Sequence, residues 1–150
     1  MYIHIVNPPE GSKTIPLPCA SASLRRAARI VSQRYDHKMR ASGLKGTQFT
    51  LLQALTIAGN ISQGELGEIL GLDSTTLTRT LALLRKKRWI QAKPGEDRRQ
   101  VRVILTAEGR SKYQSALPYW QSAQKELRKA LGETGWTQLM EATIRAAGVG

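Results

Sequence analysis

Residues 62–106 read SQGELGEILGLDSTTLTRTLALLRKKRWIQAKPGEDRRQVRVILT, and the punctuation of this stretch decides the architecture. Ser62-Gln63-Gly64-Glu65 is a capping box, in which a hydroxyl and a carboxylate satisfy N–H groups that a helix start leaves unpaired. Ile61 and Leu66 flank that cap where a hydrophobic staple fixes the angle of entry. Leu66, Ile69 and Leu70 are expected to face a core, and Gly71 supplies a left-handed stop. The pattern then restarts, with Asp73 as N-cap between a second staple pair, Leu72 and Leu77. The helix opened there, from about Ser74 to Arg88, has two unlike faces. Leu77, Leu81, Leu84 and the aliphatic stem of Arg88 form one face. Thr75, Thr78, Arg79, Ala82 and Lys86 form the other, with Ser74 and Thr76 flanking at the first turn.

Trp89–Lys93 and Val101–Leu105 are short, β-rich and partly alternating, as in a two-stranded hairpin. Its tip is Gly95-Glu96-Asp97-Arg98-Arg99. Helix, three-residue turn, helix and hairpin in this order make a winged helix-turn-helix, a unit that sets its second helix in a DNA major groove. Charge agrees, because the segment from Arg79 to Arg102 carries nine Lys/Arg against two acidic residues, a net +7. Ser74, Thr75, Thr76 and Thr78 can donate or accept at base edges and phosphates, and Arg79 can grip guanine through O6 and N7. Arg85 and Lys86 suit the phosphate backbone. Arg98 and Arg99, at the tip, suit a narrow minor groove with its strong negative potential. Asp97 would be repelled by phosphate, so its expected role is to pair with a nearby Arg and hold the tip in shape. Taken singly, the hydroxyls are mere caps and the tip a solvated loop; the winged pattern around them favours DNA contact.

Working outward, residues 1–19 form a proline-broken arm in which Tyr2-Ile3-His4-Ile5-Val6 reads as a short strand or a segment packed on a partner. Leu24, Ala28, Val31, Tyr35 and Met39 recur every three or four residues, giving an amphipathic helix from about Ala20 to Arg40 that Gly43 and Gly46 end. A second helix, about Thr47 to Ala58, turns Phe49, Leu52 and Leu55 inward. Beyond the hairpin, Thr106 caps a long helix, about 107 to 131, with Tyr113, Ala116, Leu117, Trp120, Ala123, Leu127 and Leu131 on one stripe. Pro118 inside it should kink the axis. A last helix starts near Glu133 and gathers Trp136, Leu139, Met140 and Ile144. Long amphipathic helices beside a unit with its own core are expected to pair two copies. The fold class is therefore mainly α with a small β-hairpin wing (α+β). Residues 20–46 and 107–150 make a helical dimerisation region and 47–106 the winged unit.

Composition narrows the function classes. A net charge of +12 in 150 residues points to a polyanionic partner. No apolar run reaches the roughly 20 residues that span a bilayer, and Pro8, Pro9, Pro16 and Pro18 break any secretory-signal pattern. The single cysteine, Cys19, permits no intrachain disulfide and fits a reducing, cytoplasmic setting. His4 and His37 are the only histidines, so neither a catalytic triad nor a metal-ligand cluster is visible, and Gly43 and Gly46 do not make a phosphate loop. An enzyme, a resident metal and a cofactor are not expected. The surviving alternative is a sequence-neutral architectural DNA binder.

The chain resembles the MarR family of bacterial transcriptional regulators over essentially residues 20–147. The features that carry the resemblance are Leu44-Lys45-Gly46-Thr47-Gln48-Phe49 and Ser62-Gln63-Gly64-Glu65-Leu66-Gly67, then Leu72-Asp73-Ser74-Thr75-Thr76-Leu77-Thr78-Arg79. The wing run Asp97-Arg98-Arg99 and Leu105-Thr106-Ala107-Glu108-Gly109 complete them. The resemblance implies a homodimer on pseudo-palindromic double-stranded DNA, commonly a repressor released by a small molecule or an oxidant. Arg99 falls on the family's wing arginine and Asp97 on its supporting acid, although the turn before them is shorter than in many members. Relatives bind aromatic carboxylates between the winged unit and the helical region. Arg25, Arg26, Arg29 and His37 can supply a cation there or form a solvated or DNA-facing basic surface. Other relatives sense organic peroxides through a cysteine near the first helix. Cys19 stands at such a point as a candidate redox sensor, where a helix start favours thiolate, or as an inert thiol beside Pro18.

Overall fold

The computed structural model describes Glu10, Gly11, Ile15 and residues 18–148; the expected Tyr2–Val6 strand and His4 lie outside them. The order is α1 (Ala20–Met39), a 3-10 turn (Arg40–Ser42), α2 (Gly46–Ala58), β1 (Ile61–Ser62), α3 (Gln63–Leu70), α4 (Ser74–Lys86), β2 (Ile90–Pro94), β3 (Val101–Leu105) and α5 (Ala107–Ala147). Between α3 and α4 lies the expected three-residue turn, with Gly71 left-handed at φ 60°.

Where the expected hairpin had two strands, the sheet has three, antiparallel in the order β1-β3-β2. The extra strand is the capping segment itself, since Ser62 needs an extended backbone to cap α3, and Ile61 and Ser62 lie opposite Val103 and Arg102. Arg102 locks this arrangement by donating from Nε and Nη2 to the side-chain and main-chain oxygens of Asn60, at 2.8 and 2.7 Å.

Helix α4 stops at Lys86, two residues before its expected end, because Arg88 turns left-handed at φ 61°. That turn aims the Arg88 carbonyl at the Thr106 hydroxyl, which donates to it at 2.7 Å. Through α5 the helical dihedrals run on past the exposed Pro118, and the one non-helical residue is Gly132 (φ 70°, ψ 169°). Pro118 faces water, so the carbonyl that loses its N–H partner can bond solvent instead. Gly132 falls where the two expected terminal helices meet, and Arg128 clips the break with a two-pronged bond to Glu133.

One hydrophobic core joins the winged unit to its flanking helices, with members from Met39 to Ala116. Met39, Leu44, Phe49, Leu51, Leu52, Leu55, Leu66, Leu77, Leu81 and Leu84 are buried together with Ile61, Ile90, Val103 and Ala116. Ala116 belongs to α5, and Tyr113 and Trp120 of the same helix stack on Phe49 at ring-centroid distances of 5.1 and 5.5 Å. The winged unit thus shares its core with the long helix. Ile69, expected inside, is 62% exposed: α3 has barely two turns, and only the Leu66 side meets α4. Gly67 permits that contact, for a Cβ there would stand 3.2 Å from Leu77 Cδ2.

The end of the long helix closes on the wing through Gly109. Thr106 caps α5 by accepting the Gly109 N–H at 3.0 Å, and its own N–H donates to the Trp89 carbonyl at 3.1 Å. A Cβ at Gly109 would lie only 1.9 Å from that carbonyl oxygen. The Leu-Thr-x-x-Gly signature is therefore a junction where helix backbone touches strand backbone.

Candidate nucleic-acid interface

The first turn of α4 is built to be rigid and wet. The Asp73 carboxylate accepts the Thr76 N–H at 2.9 Å and the Thr76 hydroxyl at 2.6 Å. Ser62 and Glu65 close their box in the same way, with Ser62 Oγ accepting the Glu65 N–H and Glu65 Oε2 accepting the Ser62 N–H. The bonds to the Thr76 side chain and to the Ser62 side chain hold the Asp73 and Glu65 carboxyls below their usual range. A lowered native pKa gives stabilisation that is present above the ordinary carboxylate range and is lost as pH falls through the native value.

Ser74, Thr75, Thr76, Thr78 and Arg79 are all exposed on α4, as are Arg85 and Lys86 at its far end. They are not equivalent. The Thr76 hydroxyl proton is spent on Asp73, and Thr78 Oγ1 accepts from Gln63 Nε2 at 3.0 Å. The side chains of Ser74, Thr75 and Arg79 make no hydrogen bond among the described residues, which leaves them open to a ligand. Gln63 was not singled out from sequence; as the first residue of α3 it ties that helix to the exposed face of α4.

Arg98 and Arg99 stand exposed in the 95–100 loop, which Gly95 N–H to Gln100 O (2.8 Å) and Gln100 N–H to Asp97 O (2.9 Å) close. Asp97 shapes the tip by a different bond from the one expected. Its carboxylate accepts the Arg99 backbone N–H at 3.0 Å, and among the described residues no ion pair joins it to an Arg side chain. The arginine side chains thereby stay free while their backbone is fixed. No described carboxylate pairs with Arg79, Arg85, Lys86, Arg98 or Arg99.

Arg79 and Lys86, one face of α4, line a groove with Lys45, Thr47 and Gln48 from the start of α2. Lys45 escaped the sequence reading because it lies more than 30 positions before Arg79 and Lys86; only folding sets it beside those two cations. Arg85, Arg98 and Arg99 do not line this groove.

A second cavity of 290 Å³ opens between α1, α2, the α3–α4 turn and α5, with Tyr35, Asp36, Thr50, Leu72 and Trp120 in its wall. None of Arg25, Arg26, Arg29 or His37 lines it. Cys19 is exposed at the N-cap of α1, and its side chain makes no capping bond. No described helix is long and apolar enough to cross a membrane, and no described group of His, Cys, Asp or Glu could hold a metal.

Capped helix, three-residue turn, second helix and basic-tipped sheet define a winged helix-turn-helix protein. A sequence profile of the MarR family matches residues 42–100. YwoH of Bacillus subtilis, an uncharacterized HTH-type transcriptional regulator, is 31% identical over 91 residues, 61% of this chain and 66% of that protein. The multiple antibiotic resistance protein MarR of Salmonella typhimurium is 35% identical over 91 residues, 57% of this chain and 63% of that one. The chain thus spans just under two thirds of each of these curated relatives. Among solved structures, the M. tuberculosis transcriptional regulator MosR in complex with DNA matches with a TM-score of 0.78 at 35% identity, covering 86% of this chain and 93% of that one. The chain belongs to the MarR family.

Proposed function

We propose that the protein is a sequence-specific, double-stranded DNA-binding repressor that acts as a homodimer on a pseudo-palindromic operator. The observation that carries this reading is the set of seven exposed groups on a capped helix and a backbone-fixed wing tip, Ser74, Thr75, Arg79, Arg85, Lys86, Arg98 and Arg99, none paired among the described residues. Ser74, Thr75, Thr78 and Arg79 read base edges in the major groove, Thr76 holds the turn that presents them, Arg85 and Lys86 meet backbone, and the wing enters the adjoining minor groove. The solved MosR complex with DNA supports the mode of binding.

A two-fold dimer is supported by apolar side chains that one protomer leaves in water at both chain ends. Leu24 and Ile30 on α1 and Leu131, Met140 and Ile144 on α5 are 37–73% exposed. Burying such a surface on its own copy gives two recognition helices spaced for half-sites about one DNA turn, roughly 34 Å, apart.

Replacing Arg99 tests the wing. Arg99→Ala should weaken operator binding by about 1–3 kcal/mol and lower the salt slope by about one. Wild-type affinity and an unaltered slope in a titration would take the wing out of the mechanism.

Release of DNA is by a small molecule in the 290 Å³ cavity, a space that touches α1, α5 and the turn leading into α4, so that filling it moves the recognition helix relative to the dimer region. An oxidant signal has one chemical address, because Cys19 is the sole thiol. Cys19→Ser should keep full operator binding in a gel-shift assay; peroxide should dissociate only the wild-type complex if this thiol is a sensor, and equal release of both proteins excludes it.

A further inference from the structure

We infer that the cavity between α1, α2 and α5 selects a cationic aromatic molecule, an arylalkylamine, and discriminates against the aromatic carboxylates that the family resemblance implied. The inference rests on the reading of this cavity as the effector site and names what that site takes.

The wall supplies a flat aromatic surface, Trp120, with Val31 and Leu72 as apolar neighbours, and a volume of 290 Å³, near the small end of the roughly 300–1,000 Å³ usual for ligand sites. A one-ring ligand with a short tail matches that space. Among the lining residues Asp36 is the only charged group; no lysine, arginine or histidine reaches the wall. A bound carboxylate would have no counter-charge and would face an acid, whereas an ammonium would gain one.

Two positive features lie near the cavity, and neither offsets the acid. The cavity touches Gly46 and Thr47, at the start of α2, where a helix carries a partial positive charge of about one half. Asp36 already answers it, since its Oδ1 accepts the Gly46 N–H at 2.6 Å, so acid and helix end together leave a net negative charge. The chain's net charge of +12 also attracts anions from afar. At physiological salt that field decays over about 8 Å, so groups in the wall outweigh distant ones. The neighbouring cation Lys38 is itself paired with Glu126, and no described Lys or Arg forms an ion pair with Asp36.

The test is calorimetric titration of the full chain with three matched probes: 2-phenylethylamine, 2-phenylethanol and 3-phenylpropionate. The amine should bind at least about tenfold tighter than the carboxylate, with the alcohol between. Asp36→Asn keeps an oxygen to accept the Gly46 N–H and removes the charge, so the preference for the amine should fall to parity. Ser32→Trp, at an exposed position on the cavity wall, should fill the space and abolish binding of all three. Carboxylate binding equal to or tighter than amine binding, an unchanged preference in Asp36→Asn, or no binding of any probe overturns the inference. A parallel gel-shift series separates it from the effector reading: an amine that binds but leaves the DNA complex intact removes the effector role and leaves the ligand class standing.

Discussion

Gly109→Ala should destabilise the protein by at least about 3 kcal/mol, at the upper end of what overpacking costs, and lower the melting temperature by roughly 6–12 °C. The reason is geometric. A methyl group there would sit 1.9 Å from the Trp89 carbonyl oxygen, 2.8 Å from its carbon and 2.9 Å from Leu105 Cδ1. Two of those atoms are backbone, so no rotamer change relieves the overlap, and helix and strand must part. Separation breaks the Thr106 N–H bond to the Trp89 carbonyl and shifts the root of β2. DNA affinity should therefore fall along with stability, although Gly109 lies outside the exposed cationic face. Thermal unfolding followed by circular dichroism is the check; a melting temperature within 2 °C of wild type would show that the junction is looser than it looks.

The second large effect belongs to Phe49, the only phenylalanine in the chain and fully buried. Its ring is stacked between Tyr113 and Trp120, with interplanar angles of 28° and 21°. Phe49→Ala should cost about 3–5 kcal/mol, because the lost transfer energy of the ring is joined by a cavity that aromatic neighbours on a long helix cannot collapse to fill. Trp120 would lose its partner, so denaturant unfolding followed by tryptophan fluorescence should show both a lower midpoint and an altered native spectrum. A loss below about 1 kcal/mol would mean that α5 is not held by this stack. The same contact ties the winged unit to the long helix, so that under the proposed function DNA binding through one is mechanically connected to pairing through the other.

Sequence showed the helix-turn-helix with little loss because every signal in it is local. Capping box, N-cap aspartate, left-handed glycine and leucine spacing act within four residues of each other, and the structure reproduces each of them. The boundary at Gly132 was legible for the same reason. What stayed hidden depends on residues far apart in the chain. Strand β1 is two residues long and exists only because Val103 and Arg102 lie alongside it, 40 or more positions away. The inward side of α3 is set by α4, so periodicity alone placed Ile69 wrongly. Asp97 looked like an ion-pairing acid, but an aspartate two residues before a free N–H has a nearer partner in the backbone. Of the interface, the cations and hydroxyls were visible as a charge-rich, leucine-striped helix. The groove that adds Lys45 to Arg79 and Lys86 was not, nor was the cavity whose only charge is Asp36.

The most direct trial of the account is selection of bound duplexes from a random DNA pool, followed by the mass of the complex with the winning sequence. The selected sequence should be an inverted repeat whose half-site centres lie about 10 base pairs apart, held by two chains and at least about 10³-fold tighter than scrambled DNA. Recovery of no common motif, with every duplex bound equally and only in proportion to its phosphates, would contradict it and leave a sequence-neutral DNA coat in its place.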